Sequence, residues 1–291
     1  MLREATFRAV RTVGGLLPLP VLAAVLWPIA IARAVADLVL KPARHPVRSL
    51  PPPSRPGRNW SSGLRQRTAA WLNTTSLLWA DKFAAPRWSR RFDLTALERL
   101  RALSDRPVIV VTLHYGGIFA LPTLLRSAGL PTASVVADAL WPIRWWRRRR
   151  AELTRIGDHP LHFRSGDALA ITRFLVPGTF LVVAGDYPRG ERALTTFDSV
   201  GFALATPPFR LARLTAAVIV PALVRADGVW RYTLHVGLPV PDELIRTDDY
   251  EAAVDHIAAE LLPVAAQRPE QAMPLLVAAF DRAPPALAGS A

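Results

Sequence analysis

Short apolar runs rich in β-branched residues alternate with helix-like segments along most of this chain, and this alternation restricts its possible folds. Predicted strands cover residues 108–113, 133–137, 180–184, 217–224 and 232–240. Predicted helices cover residues 118–127, 143–156, 166–175 and 203–214, between the first four strands, and an amphipathic helix covers 248–266. Strands separated by helices predict an α/β fold with a mostly parallel sheet covered by helices. The Asp227-Gly228 turn predicts one antiparallel pair, which makes the sheet mixed.

Polar side chains follow the ends of three predicted strands. His114 ends the first strand within Leu113-His-Tyr-Gly-Gly117, Asp138 follows the second, and Asp186 follows the third. In a parallel sheet the strands end at one edge, and ligands bind outside that edge. We therefore expect His114, Asp138 and Asp186 to lie at one cleft.

The residues around His114 suit the activation of a hydroxyl group for acyl transfer. A histidine at a helix N-terminus is favoured in its neutral form, which can act as a base near neutral pH. Gly116 and Gly117 allow close approach of the backbone and are expected to present N–H groups to a developing oxyanion. The alternative is a histidine that caps a turn without a catalytic role.

The N-terminal part of the chain predicts association with a membrane. Residues 14–32 carry no charged side chain but include three prolines, so we expect residues 1–40 to lie shallowly in a membrane or to span it once. A cleaved signal peptide and a buried core helix are the alternatives. Residues 41–66 form a basic, proline-rich linker, 67–282 the main α/β domain, and 283–291 a flexible tail.

The charge balance favours an acidic partner. The chain has 36 Lys and Arg against 23 Asp and Glu, a net charge of +13. Such a surplus suits an anionic membrane surface or an acidic carrier protein, although a GC-rich genome also enriches arginine. No nucleic-acid-binding motif is present, so nucleic acid is not an expected partner. Residues 141–150, with three tryptophans and five arginines, suit a membrane interface or an amphipathic helix equally.

Cysteine and metal chemistry are not expected. The chain has no cysteine, which excludes disulfides, thiolate zinc sites and cysteine nucleophiles. His159 and His162 have a spacing that could hold a metal, but no matching ligands lie nearby in the sequence, so no metal site is predicted. His235 and His256 are interpreted as structural.

Several motifs resemble, in their order, the lysophospholipid acyltransferase superfamily. They are residues 112–117, 163–167, 175–186, 206–212, 220–225 with Gly228 and Tyr232, and Pro269-Glu270-Gln271. Within this superfamily the chain is most similar to the branch of late lipid A acyltransferases and phosphatidylinositol mannoside acyltransferases. That branch has a histidine followed, after four residues, by Asp or Glu. The resemblance covers nearly the whole chain, and the order of the motifs carries it.

The resemblance implies a glycerolipid-acyltransferase-like fold for residues 67–282 and an enzymatic role for His114. As general base, His114 would deprotonate a hydroxyl of a lipid or glycolipid acceptor, which then attacks an acyl thioester on acyl carrier protein or coenzyme A. No cofactor beyond this co-substrate is implied. The expected location is the cytoplasmic face of a bacterial inner membrane. Residues implied to bind phosphate or carboxylate groups of the substrates are Arg164, Arg189 and Arg225.

One position departs from the family pattern. Phe119 stands where the branch has its acid, and a phenyl ring cannot accept a hydrogen bond from an imidazole N–H as a carboxylate does. In one account another acid replaces it, Asp186 as the first choice and Asp138 as the second. In the other account the chain is an inactive homologue that binds a lipid or an acyl carrier.

Overall fold

A seven-stranded, mostly parallel sheet organises the protein. The computed structural model describes residues 19–40, 64, 68, 72, 92–93, 95–136, 162–187, 190–197, 200–228, 231–272, 276 and 279–280. Its strands are β1 (Phe92–Asp93), β2 (Val108–Thr112), β3 (Thr132–Val136), β4 (His162–Arg164), β5 (Phe180–Ala184), β6 (Arg192–Phe197), β7 (Val200–Ala205), β8 (Val218–Gly228) and β9 (Arg231–Val236). The strand order of the sheet is β1-β9-β8-β2-β5-β3-β4.

Within this sheet only β8 and β9 pair antiparallel, and all other neighbours are parallel. Strands β6 and β7 form a separate antiparallel pair. The prediction of an α/β fold with a mostly parallel mixed sheet flanked by helices is confirmed. Strand β2 lies between β8 and β5, so the segment that follows it emerges at the middle of the sheet.

Seven α-helices have both of their ends in the described part of the chain. They are α1 (Leu19–Leu40), α2 (Leu97–Arg101), α3 (Leu121–Ser127), α4 (Ala168–Phe174), α5 (Pro207–Thr215), α6 (Asp242–Arg246) and α7 (Tyr250–Ala266). Two short 3-10 helices, Ile118–Ala120 and Pro269–Gln271, lie after β2 and after α7. Helix α7 matches the predicted amphipathic helix, and its N-terminus is capped by the Asp249 carboxylate, which accepts from the Ala252 N–H.

The central strand β2 is buried on both faces of the sheet. Along β2, Ile109 and Val111 belong to the core cluster beneath α7, whereas Val108 and Val110 belong to the cluster beneath α2 and α3. Every residue of β2 is buried. Burial on both faces explains why this strand is a continuous apolar run in the sequence rather than an alternating one.

Three predicted boundaries were wrong, and one of them is the strand predicted over 232–240, which ends at Val236. The helix predicted over 203–214 begins only at Pro207, because residues up to Ala205 pair with β6 and the two prolines suit the first helical turn. The strand predicted over 217–224 continues to Gly228, with a bulge between Ala226 and Gly228.

Helix α1 has an unusual distribution of exposed side chains. Leu26, Ala30 and Ala34 are buried, whereas Val21, Val25 and Ile29 are 46%, 55% and 53% exposed. In the part of the chain that the structure describes, no helix combines the length and the apolar character needed to cross a membrane. Apart from Leu64, the predicted linker lies outside the described residues, as do the predicted helix over 143–156 and the tail.

Candidate active site

His114 and Asp186 are brought together by the pairing of two central strands. Thr112, the last residue of β2, pairs with Ala184, the last residue of β5. The pairing is extended by the Gly185 N–H, which donates to the Thr112 carbonyl at 2.8 Å. His114 and Asp186 each follow two residues after their paired strand ends. The same offset on neighbouring parallel strands places them side by side at the sheet edge.

The carboxylate of Asp186 binds both the ring and the backbone of His114. Its Oδ1 lies 2.7 Å from His114 Nδ1, and its Oδ2 accepts the His114 backbone N–H at 2.8 Å. The Asp186 side chain is fully buried, whereas 13% of the His114 side chain is exposed. This geometry suits a tautomer in which Nδ1 donates to the carboxylate oxygen. The neutral ring then carries its lone pair on Nε2.

This arrangement supplies the parts of a histidine–carboxylate pair. The carboxylate fixes the ring orientation and the tautomer, and the ring keeps one nitrogen that can take a proton. Asp186, the first choice to replace the missing acid, therefore lies within hydrogen-bond distance of His114. Asp138, the second choice, lies outside the described residues. The catalytic role of the pair stays a prediction.

Gly116 and Gly117 are needed for packing, and their amides are already bonded. The Gly116 N–H donates to the Gln271 carbonyl at 3.1 Å, and the Gly117 N–H donates to the Val224 carbonyl at 2.7 Å. Gly116 has φ +50°, and a Cβ there would lie 2.3 Å from the Val224 oxygen. These bonds correct the expectation that both amides face an oxyanion. The glycines instead let the turn that carries His114 pack directly against β8.

Of the three predicted substrate-binding arginines, the structure describes Arg164 and Arg225, and Arg225 is on the strand closer to β2. It belongs to β8, next to β2, and its Nε donates to Asp227 Oδ1 at 2.7 Å while its Nη1 donates to Gln267. Arg164 ends β4, three strands from β2, or about 14 Å at the usual strand spacing. Arg164 is exposed, and Arg189 lies outside the described residues. Substrate binding by these arginines stays a prediction.

Tyr115 and Gln271 belong to the site region but were not predicted as site residues. Tyr115 is fully buried, and its hydroxyl has no hydrogen-bond partner among the described residues. Burial and the nearby Glu270 carboxylate raise the pKa of the Tyr115 phenol well above its usual value. Gln271 was seen in the sequence only as the end of a motif. No local signal shows that residue 271 packs against residue 116, because the contact depends on the whole fold.

The histidines interpreted as structural have local partners or environments. Burial, together with nearby Arg225, lowers the pKa of His235. His256 Nε2 lies 3.1 Å from the Leu238 carbonyl, and His162 Nδ1 lies 2.6 Å from the Ser134 hydroxyl. His159 lies outside the described residues. Within the described ranges no group of three or more His, Asp or Glu side chains could hold a metal ion.

The relation of this site to known families depends on the motifs alone. The resemblance to the acyltransferase superfamily comes from the order of short motifs in the sequence, so membership stays a prediction. Compared with family models and with curated proteins, the chain matches none of them.

Proposed function

We propose that this protein transfers an acyl group from a thioester to a hydroxyl, with His114 as the general base and Asp186 as its orienting carboxylate. The observation that carries the proposal is the pair itself. A buried carboxylate lies within hydrogen-bond distance of Nδ1 of a partly exposed imidazole, where two central strands of a mostly parallel sheet end. Sites for substrates in this type of sheet lie at that edge.

The proposed reaction needs one proton transfer in each direction. Nε2 of His114 takes the proton of the acceptor hydroxyl, and the resulting imidazolium is stabilised by the Asp186 carboxylate. The oxygen attacks the thioester carbonyl, and the C–S bond of the tetrahedral intermediate then breaks. The leaving thiolate takes the proton back from Nε2, and an ester and a free thiol remain. General base catalysis of this kind contributes about 10²- to 10⁴-fold in rate.

The negative charge on the intermediate needs a donor other than the glycine amides. Both amides are engaged with backbone carbonyls. Arg225 is also engaged, with Asp227 and Gln267. Arg164, Arg189 and Arg225 stay the candidates from the sequence for binding charged groups of the donor or the acceptor.

Helix α1 supports an acceptor that lies in a membrane. Val21, Val25 and Ile29 recur every four residues, so they form one exposed apolar stripe, and Trp27 and Ile31, which are 40% and 37% exposed, lie elsewhere on the helix surface. Large exposed apolar patches mark sites of contact with partners or membranes. We propose that this stripe lies in the interface of an anionic membrane, at the cytoplasmic face of a bacterial inner membrane. A lipid or glycolipid acceptor would then reach the site from the bilayer, and acyl carrier protein or coenzyme A from solution.

A non-catalytic homologue that binds a lipid or an acyl carrier is the second candidate function. It is favoured by Phe119, which stands at the position of the family's acid. The two candidates differ in what they require of His114. An enzyme needs its Nε2 for proton transfer, whereas a binding protein keeps its ligand when the ring is removed.

The decisive experiment compares the wild-type protein with His114→Ala. Protein in lipid vesicles is supplied with acyl coenzyme A or acyl carrier protein, and mass spectrometry detects lipids that have gained one acyl group. We expect transfer by the wild type and a loss of at least about a hundredfold in His114→Ala. His256→Ala is the matched control, because His256 lies on α7 and its Nε2 is 3.1 Å from the Leu238 carbonyl oxygen rather than at the His114 turn. Equal transfer by His114→Ala, or ligand binding without any transfer, would reject the proposal.

A further inference from the structure

The turn that carries His114 is held from the side opposite Asp186 by the C-terminal 3-10 helix. The Gly116 N–H donates to the Gln271 carbonyl at 3.1 Å. A second contact lies beside it, because Tyr115 and Ala272 form an isolated antiparallel bridge. A segment more than 150 positions away in sequence from His114 therefore fixes the backbone directly after it.

The side chain of Gln271 fixes this segment to the neighbouring strand. Its Oε1 accepts the Ala226 N–H at 2.9 Å, and its Nε2 donates to the Ala226 carbonyl at 2.5 Å. The side chain is buried, and both bonds go to one residue at the bulge of β8. A primary amide satisfies one donor and one acceptor at once without carrying a charge.

Gln271 therefore joins two structures that define the position of His114. Its side-chain amide binds the backbone of Ala226 in β8. Its backbone carbonyl accepts the Gly116 N–H. The turn also contacts β8 directly, because the Gly117 N–H donates to the Val224 carbonyl, two residues before Ala226. The turn, β8 and Gln271 are closely packed, since a Cβ at Gly116 would lie 2.8 Å from Gln271 Oε1.

We propose that Gln271 is a positioning residue for His114, which keeps the imidazole aligned with Asp186 without touching the substrate. The catalytic part of this inference rests on the proposed acyl transfer. The geometric part does not, because it concerns the hydrogen bond between His114 Nδ1 and Asp186. A displacement of about 1 Å at a reacting group can lower the rate about a hundredfold.

The test uses full-length protein, with Gln271→Ala and Gln271→Glu as variants. Gln267→Ala is the matched control, because Gln267 is also a glutamine of the C-terminal region but bonds to Arg225 rather than to the turn. The first readout is the Nδ1–H signal of His114 in spectra of protein labelled with ¹⁵N at the histidine rings. The chain has six histidines, and the His114 signal is identified by its loss in His114→Ala. The second readout is kcat and KM for acyl transfer.

In Gln271→Ala we expect the His114 Nδ1–H signal to move or to broaden, and kcat to fall about 10- to 100-fold with KM within about twofold. In Gln267→Ala the His114 signal and kcat stay as in the wild type. Gln271→Glu supplies a pH readout that a merely structural contact elsewhere would not show. Its protonated carboxyl can donate to the Ala226 carbonyl, whereas its ionised form repels it. Relative to wild type, its kcat is expected to be nearly normal at acidic pH and to fall as pH rises.

The outcomes separate the two proposals. An unchanged His114 signal and kcat in folded Gln271→Ala overturn the positioning role. If that variant does not fold, a pH profile of Gln271→Glu parallel to that of the wild type overturns it instead. If the wild type transfers no acyl group but the His114 signal moves in Gln271→Ala and not in Gln267→Ala, the positioning role stands and the proposed function fails.

Discussion

Replacing Asp186 with asparagine is expected to inactivate the protein while leaving its fold nearly intact. Asparagine has the shape of aspartate but presents one oxygen and one NH₂ group. The backbone N–H of His114 is a fixed donor, so the asparagine oxygen must take the place of Oδ2. The NH₂ group then faces Nδ1, which must accept a hydrogen bond instead of donating one. The ring proton moves to Nε2, and the ring can no longer act as a base there.

The expected loss in kcat follows from this change of tautomer. In a serine protease triad, the same replacement of the orienting aspartate lowers kcat by about 10⁴, which is about 5.4 kcal/mol in the activation barrier. The cost in stability is smaller, because both hydrogen bonds persist in neutral form and a buried charge is removed. Each charged hydrogen bond contributes about 1 kcal/mol more than a neutral one, so we expect a net loss below about 2 kcal/mol. This corresponds to a decrease in Tm of a few degrees.

The assay measures release of free thiol from acyl coenzyme A with a thiol reagent, together with the melting temperature of each variant. Asp167→Asn is the matched control, because the Asp167 carboxylate accepts a hydrogen bond from the Arg164 backbone N–H and not from His114. We expect it to keep wild-type turnover. If Asp186→Asn retains turnover within tenfold of the wild type while His114→Ala loses a thousandfold, Asp186 does not orient the base and the reasoning fails.

Two further predictions concern packing and the membrane. A Cβ at Gly117 would lie 2.4 Å from Val224 Cγ1. Gly117→Ala is therefore expected to lose about 1–3 kcal/mol of unfolding free energy in denaturant titrations. Gly228→Ala is the control and is expected to lose less than half of that, because a Cβ at Gly228 would have nothing within 4 Å. An equal loss in both variants would show that close packing at the turn is not the cause. Val25→Ser with Ile29→Ser is expected to reduce co-flotation with anionic vesicles severalfold, because both side chains are more than half exposed on α1. Flotation equal to that of the wild type would contradict the proposed contact of this stripe with lipid.

The position of the His114–Asp186 pair could be predicted from the sequence because it depends on strand ends. An apolar run that is buried on both faces is easy to recognise, and β2 and β5 end within a residue of their predicted limits. Since the two strands are parallel neighbours in register, equal offsets from their ends bring the two side chains together. The predicted position of the pair thus depends on the ends of two buried strands, which local hydropathy determines most strongly.

The surroundings of the turn could not be predicted in this way. The role of Gly116 and Gly117 depends on β8, whose continuation through Arg225 to Gly228 is polar and bulged and has no apolar periodicity. It depends equally on Gln271, whose carbonyl accepts the Gly116 N–H although the two residues are more than 150 positions apart in the sequence. Backbone amides are satisfied by whichever carbonyl the tertiary structure brings near them, so their availability for an oxyanion is not readable from neighbouring residues.

The hydrogen bonds of His114 change what the lack of an acid at Phe119 implies for catalysis. The imidazole has a single Nδ1–H, and Asp186 already accepts it at 2.7 Å. The same carboxylate is anchored by the backbone N–H of His114, so its position does not depend on the rotamer of the ring. An acid at position 119 could not be the main partner of Nδ1 while this bond exists. The absence of an acid at 119 therefore removes no contact that the pair requires, and a test of catalysis should begin with Asp186 rather than with restoring an acid at Phe119.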